Sequence, residues 1–212
     1  INVTVLVLLT LSCLLPFIYV IAVSFSENYY VTTNQVTFWP KGFTLNAYRY
    51  ILERRSFWTS FRMSVFRTLL GSAINLSLVM LTAYPLSKDN QRLRGRNIYT
   101  WFFFITMLVG QLKLRDTIWA LVLPGALPIF NMVLMLNFFR QIPRDLEEAA
   151  MIDGASHWRI LAQIYLPCSL PSIATIALFC MVSHWNAWFD GQIYMTSVDK
   201  IPLQTYLRNV IV

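Results

Sequence analysis

Residues 1–25 carry no charged side chain and are mostly apolar. Wound as a helix at 1.5 Å per residue they would be about 37 Å long, enough to cross a hydrocarbon core of roughly 30 Å. That length leaves little freedom. In lipid every backbone N–H and C=O must find its partner within the protein, and a helix achieves this inside one segment. The other reading is a secretory leader with Ala22-Val23-Ser24 as its small-x-small cleavage site, but a leader's apolar core covers only about 7–15 residues. The stretch is therefore expected to be a first transmembrane helix.

Four further apolar runs follow. Residues 57–86 form the second, with Arg62 and Arg67 near its start and Pro85 at its close. Residues 98–110 are aromatic-rich but only about 20 Å long as a helix, short of a span unless they continue through 111–114. Residues 117–139 make a fourth, interrupted by Pro124, Gly125 and Pro128; such breakers are tolerated where neighbouring helices satisfy the freed backbone groups. Residues 169–189 make a fifth, and 190–212 are a mixed segment with Pro202 and no span. Five spans put the chain ends on opposite sides, so a sixth helix beyond Val212 is expected; a start at Ile1 rather than Met also points to a longer chain. Composition agrees, with 57% hydrophobic and 13% charged residues against about 25% charged in soluble domains. The fold class is all-α, a polytopic helical membrane protein.

A net charge of +7 would suggest a nucleic-acid partner in a soluble chain. Here the basic residues flank apolar runs, so membrane topology explains them and no nucleic acid is expected. Residues 26–55 read as an extramembrane loop with Asn34, Pro40, Gly42 and Asn46 as breakers and 45–52 helical. Lys88, Arg92, Arg94 and Arg96 crowd residues 88–97 against Asp89 alone, a density typical of a cytoplasmic loop. The full count leaves orientation open, with seven Lys and Arg on that side and eight on the other. Cys13, Cys168 and Cys180 sit in apolar surroundings without metal spacing, and neither a disulfide nor a metal site is expected.

Between the fourth and fifth runs lies a short polar and small-residue segment, residues 143–167. Pro143 fits the first turn of a helix, and Asp145, Glu147 and Glu148 favour the positive end of its dipole. Leu146, Ala149 and Ala150 fall at i, i+3 and i+4 on one narrow face, small enough for a partner to come close. Gly154 suits the helix C-terminus, and Ser156 can cap a second helix that runs into Leu166-Pro167.

Glu148-Ala149-Ala150, three residues, Gly154, nine residues, then Ile164-x-Leu166-Pro167 resembles the EAA motif of the permease subunits of bacterial ATP-binding-cassette importers. The resemblance implies the type I importer permease fold as a single domain over 1–212, with 143–167 as a cytoplasmic coupling loop. In that family the loop inserts into a cleft on an ATPase subunit, which settles the orientation. By carry-over Glu148 meets a basic group on the ATPase, Ala149 and Ala150 allow close docking, Gly154 makes the turn, and Ile164, Leu166 and Pro167 complete the motif; Arg144 and Asp145 are added as charged rim residues. The implied partners are a cytoplasmic ATPase dimer, a second homologous permease forming a heterodimer, an extracytoplasmic solute-binding protein and the bacterial inner membrane, crossed several times. This chain would bind no cofactor, ATP and Mg being held by the ATPase.

Weaker motifs extend the likeness. Ala83-Tyr84-Pro85-Leu86-Ser87 closes the second span, and Leu123-Pro124 with Asn131 and Asn137-Phe138-Phe139 marks the fourth. His184-Trp185-Asn186-x-Trp188-Phe189 followed by Pro202-Leu203-Gln204 is similar to the carbohydrate branch, the second permease of maltose-type systems. Two parts of the family pattern are missing: a Gly-Gly-x-x-Pro-x-Tyr segment near 108–111 and the last helix.

No nucleophile, metal cluster or phosphate loop accompanies His157 and His184, so an enzyme is not expected. Trp185, Asn186 and Trp188 are candidates for the solute path, through aromatic stacking and amide hydrogen bonds. The two Trp residues fit an interfacial belt equally well. Asn131 and Asn137 are polar groups within a span and are expected to face the bundle interior. Arg49, Arg54, Arg55, Arg62 and Arg67, opposed only by Glu53, would draw an anionic solute such as an acidic oligo- or polysaccharide, alginate for example; Arg62 and Arg67 also fit snorkelling to headgroups. Two competitors are an ion-gradient-driven transporter and a non-transporting scaffold. The first calls for paired acidic or His groups in mid-membrane, whereas these spans hold no Asp or Glu well inside.

Overall fold

The structure is a computed structural model that describes residues 2–88 and 114–211. The third apolar run, nearly all of the basic loop at 88–97 and the segment at 108–111 lie outside the described residues. Among those described, all regular structure is helical. The chain, read above as one domain over 1–212, clusters into two compact units, Ile1–Trp58 and Thr59–Val212.

In the first unit, α1 (Asn2–Ser24) tolerates Pro16 and leaves almost every side chain exposed. Its apolar surface is of the kind that lipid or another helix covers. The loop after it folds back on the end of α1. Phe25 stacks on Phe43 at 5.6 Å and meets Tyr48 at 5.2 Å, and Lys41 N donates to Ser26 Oγ at 3.0 Å. Gly42 lies at φ +62°, where a side chain would press on Glu27 and Tyr30. Short helices α2 (Asn28–Thr32) and α3 (Asn46–Leu52) complete the unit, the latter over the stretch read as helical.

The second unit is built on α4 (Arg55–Ser87), a 33-residue helix that begins in the first. Its buried side chains include Ser60, Ser64, Arg67, Gly71, Asn75 and Val79, one every three or four residues and mostly small or polar. This inverts the soluble pattern, because lipid is as apolar as leucine and helices associate in it through close packing and hydrogen bonds. Gly71 shows how close: a Cβ there would stand 2.5 Å from His184 Nε2.

The fourth run is a bent pair, α5 (Ile118–Val122) with a 3-10 turn Leu123–Gly125, then α6 (Ile129–Gln141), 51° apart. The break falls at Pro124, Gly125 and Pro128. After α7 (Arg144–Ile152) comes α8 (His157–Cys168), whose middle Leu161–Tyr165 is a π turn just before Pro167. A turn of 83° then leads into α9 (Leu170–Asn186). Pro171 has no N–H, and its ring opposes the carbonyl four residues back, so α8 cannot run straight on. Among the described residues α1 and α4 are each long and apolar enough to cross a membrane, and counting each bent pair as one span gives four. The 190–212 segment, read only as mixed, holds α10 (Phe189–Tyr194) and α11 (Leu203–Ile211). The largest core cluster joins Val79, Ala83 and Tyr84 of α4, Met135 and Phe139 of α6, and Ile160, Leu161 and Tyr165 of α8, with Ile176 and Cys180 of α9.

Candidate functional site

One end of the second unit carries helix α7. Pro143 precedes it at φ −55°, ψ 131° and serves as its cap, one residue earlier than the first-turn position expected from sequence. Asp145 and Glu147 occupy the first turn, where their charge faces the unpaired N–H groups. The other end closes as a Schellman motif. Ala155 N donates to Ala150 O at 2.9 Å and Gly154 N to Met151 O at 3.0 Å, with Gly154 at φ +77°, a conformation that costs a side-chain-bearing residue about 1–2 kcal/mol. Ser156 Oγ then accepts from Arg159 N and caps α8.

Arg144, Asp145, Leu146, Glu148, Ala149 and Gly154 are exposed, as are Ile152 (86%) and Trp158 (71%) beside them. Ala150 is turned the other way. It packs on the core cluster with Ile164 and Leu166, so its small side chain lets α7 lie close to its own chain; the three-residue face Leu146-Ala149-Ala150 is split. Pro167 is exposed.

The inner side of α7 is pinned by Glu147, which sequence reading placed only as a dipole partner. Its carboxylate pairs with Lys88 Nζ and accepts from Tyr165 Oη at 2.8 Å. Lys88 Nζ also donates to Tyr165 Oη at 3.2 Å and lies 4.4 Å from the ring centres of both Tyr84 and Tyr165. Burial alone would raise the Glu147 pKa, yet the hydrogen bonds from Lys88 and Tyr165 and the Lys88 charge prevail and hold it below the usual carboxylate range. A cleft of about 600 Å³ opens beside this group, lined among others by Ser87, Arg140 and Arg144.

Deeper in the same unit is a cavity of about 270 Å³ between α4, the broken α5–α6 pair and α9, where Arg67, Asn75, Asn131, His184 and Asp190 share the lining with apolar groups such as Leu121, Pro124 and Leu127. Non-helical backbone at membrane depth is tolerated where it borders such a space. Arg67 is 2% exposed; its guanidinium pairs with Asp190 and donates to Ala187 O at 3.0 Å. Helix by helix, no acid stands well inside a span, but Asp190 folds back from beyond α9 to meet a buried cation in α4. Asn131 Nδ2 donates to Cys180 Sγ at 3.3 Å. Arg67 Nε and Asn75 Oδ1 are buried without a hydrogen-bond partner.

The other candidates are placed differently. Asn131 is buried and lines the cavity, whereas Asn137 is exposed on another face of α6. Trp185 meets Phe61 edge-on at 6.1 Å, and Asn186 is exposed. The Trp188 ring is already covered by the Arg208 guanidinium, 3.4 Å from its centre. Arg67, grouped above with cations that attract a solute, has its charge neutralised by Asp190 and drops out of that group. Arg62 is exposed in the second unit; Arg49, Arg54 and Arg55 are exposed in the first, Arg54 lying 4.2 Å over the Tyr50 ring.

Far along α5–α6 from α7, Asp116 clasps the segment after α10. Its carboxylate accepts from Thr196 Oγ1, from Thr196 N at 2.7 Å and from Ser197 N at 2.9 Å, and its carbonyl accepts from Lys200 Nζ at 2.9 Å. The Thr196 and Ser197 hydrogen bonds lower its pKa to about 2. Among the described residues no group of three or more His, Cys, Asp or Glu side chains converges as a metal ion would require.

The described part of the chain thus combines a surface helix–turn–helix at one end of the second unit with a cavity of mixed lining within the same helices. Residues 91–197 match the family described as binding-protein-dependent transport system inner membrane component. Over 93% of this chain and 70% of the relative, the sequence is 40% identical to protein LplC of Bacillus subtilis (strain 168). It is 39% identical to the polygalacturonan/rhamnogalacturonan transport system permease protein YtcP of the same organism, over 98% of this chain and 76% of that one. The fold is similar, at TM-score 0.87 and 34% identity, to a chain in the crystal structure of a bacterial ABC transporter involved in the import of the acidic polysaccharide alginate; the match covers 100% of this chain and 79% of that one. The chain belongs to the binding-protein-dependent transport system inner membrane component family, and is a membrane-embedded, non-enzymatic translocation component.

Proposed function

We propose that this chain is a multi-pass permease subunit, of the bacterial inner membrane, in a carbohydrate importer driven by ATP hydrolysis on separate subunits. The observation that carries the reading is the α7 loop, a helix closed by Gly154 that presents Glu148, Ala149, Ile152 and Trp158 outward from the bundle end. Residues 143–167 form the coupling loop, with Arg144 and Asp145 at its charged rim. They dock on a cytoplasmic ATPase dimer that holds ATP and Mg. A second homologous permease completes the membrane portion, and an external solute-binding protein delivers the cargo. ATP-driven closure of the ATPases moves α7 and with it the bundle, shifting the spans between outward-open and inward-open packings.

The cavity beside Arg67, Asn75, Asn131 and Asp190 is this subunit's contribution to the solute path. An acidic oligosaccharide is the preferred cargo: relatives named for polygalacturonan and alginate transport agree with the exposed cations Arg49, Arg54, Arg55 and Arg62. Reconstituted complex should take up oligogalacturonate faster than a neutral maltodextrin of equal length, and the advantage should shrink as ionic strength rises, since the Debye length falls from about 10 Å at 0.1 M to 3 Å at 1 M. Equal, salt-insensitive uptake of both oligomers would remove the anionic cargo. Uptake of neither oligomer would count against the carbohydrate reading.

A further inference from the structure

We propose that Lys88 and Glu147 are a positioning pair that makes the coupling helix α7 a rigid extension of α4. The inference rests on the reading that α7 docks an ATPase. A helix joined to the bundle only by its two connections would swing at Pro143 and Gly154, and a push on it would be lost in those turns. Ala150 packs α7 against the core, and the structure adds a polar attachment at the helix start. Lys88, directly after α4, reaches across to Glu147 in the first turn of α7, and the two are 22% and 12% exposed.

On its inner side the pair is flanked by aromatic groups, while the cleft described above opens on the other. Tyr165 of α8 bridges it by donating to Glu147 and accepting from Lys88, while the Tyr84 and Tyr165 rings flank the ammonium. Tyr84 and Tyr165 meet edge-on at 5.0 Å, Phe139 of α6 packs on Tyr165 at 5.3 Å, and Tyr84 Oη lies 3.4 Å from His157 Nδ1. Four helices, α4, α6, α7 and α8, therefore meet around one ammonium–carboxylate contact, which fixes the angle between α4 and α7. Charge-assisted hydrogen bonds flanked by aromatic faces are among the stronger polar contacts available to a half-buried site.

The test uses the complete transporter with its ATPase and partner permease, in a background where the exposed Cys13 and Cys168 are replaced by serine. Spin labels at Leu81→Cys on α4 and Met151→Cys on α7, both exposed, report the distance between the two helices. The parent should give one narrow distance distribution. Lys88→Met and Glu147→Gln should each broaden it and raise the released population by about tenfold, with ATPase subunits still co-purifying. Lys88→Arg, which keeps both the pairing and the ring contact, should restore the narrow distribution, as a purely volumetric role would not require. A narrow distribution in Lys88→Met and Glu147→Gln would overturn the positioning role alone. Failure of the parent itself to retain ATPase would overturn the docking reading, and the pair's role with it.

Discussion

Replacing Asp190 by alanine is expected to remove the transporter subunit from the membrane rather than merely slow it. Arg67 is 2% exposed, and Asp190 is the carboxylate that neutralises it. Once Asp190 is gone, a guanidinium remains in the bundle with the Ala187 carbonyl as its remaining described acceptor. Removing one member of a buried pair costs about 3–5 kcal/mol, because the partner charge is left uncompensated. That is a large part of the 5–15 kcal/mol that holds a typical domain folded. The double variant Arg67→Gln/Asp190→Asn carries no net charge into the bundle and should recover most of the lost protein. Thermal unfolding of detergent-solubilised complex, with immunoblots of membrane fractions, measures both. Equal levels of Asp190→Ala and parent protein would show that the ion pair is not what holds α4 to α10.

Replacing Gly154 by tryptophan is expected to separate ATP hydrolysis from uptake. Nothing lies within 4 Å of a Cβ built at this position, so the substitution meets no clash within its own chain. Two effects remain. The left-handed backbone at φ +77° would strain any L side chain by about 1–2 kcal/mol, and the ring would fill the open space in front of α7. Gly154→Ala adds only the strain, and at 1.4 kcal/mol per tenfold it should lower the docked population about tenfold. Gly154→Trp adds obstruction and should abolish uptake while the ATPase subunits keep hydrolysing. Proteoliposome assays that count ATP consumed and solute accumulated together give the answer. Unchanged uptake in Gly154→Trp would mean that the turn does not couple.

The helical, membrane-spanning character and the helix–turn–helix at 143–167 were legible because both are local. Apolar length decides a span, and the helix start, left-handed glycine and serine cap within 143–167 are fixed by neighbours a few residues away. The lateral contacts were not legible. The buried stripe Ser60-Ser64-Arg67-Gly71-Asn75 has the helical repeat but the opposite polarity from a soluble core, and a search for small and polar residues at that spacing would have found it. Asp190 reaches Arg67 across 123 residues of chain, which no local pattern encodes. Ala150 read as part of a docking face because spacing gives a helix's periodicity but not which side faces its own core. Glu147 likewise looked like one more first-turn acid until Lys88 and Tyr165 were placed beside it. Trp188 read as a sugar platform or an interfacial ring alike, and the Arg208 contact that covers it comes from 190–212, a segment read as holding no span.

The central claim is that the exposed side of α7 receives an ATPase. Co-purification from membranes that contain all subunits tests it directly, with Glu148→Lys/Ala149→Trp compared with the parent chain; both positions are exposed and outside the core cluster, so the fold should tolerate the change. The prediction is that ATPase subunits come down with the parent and are lost from the double variant, while the partner permease stays bound to both. ATPase retained equally by the two proteins would contradict the account.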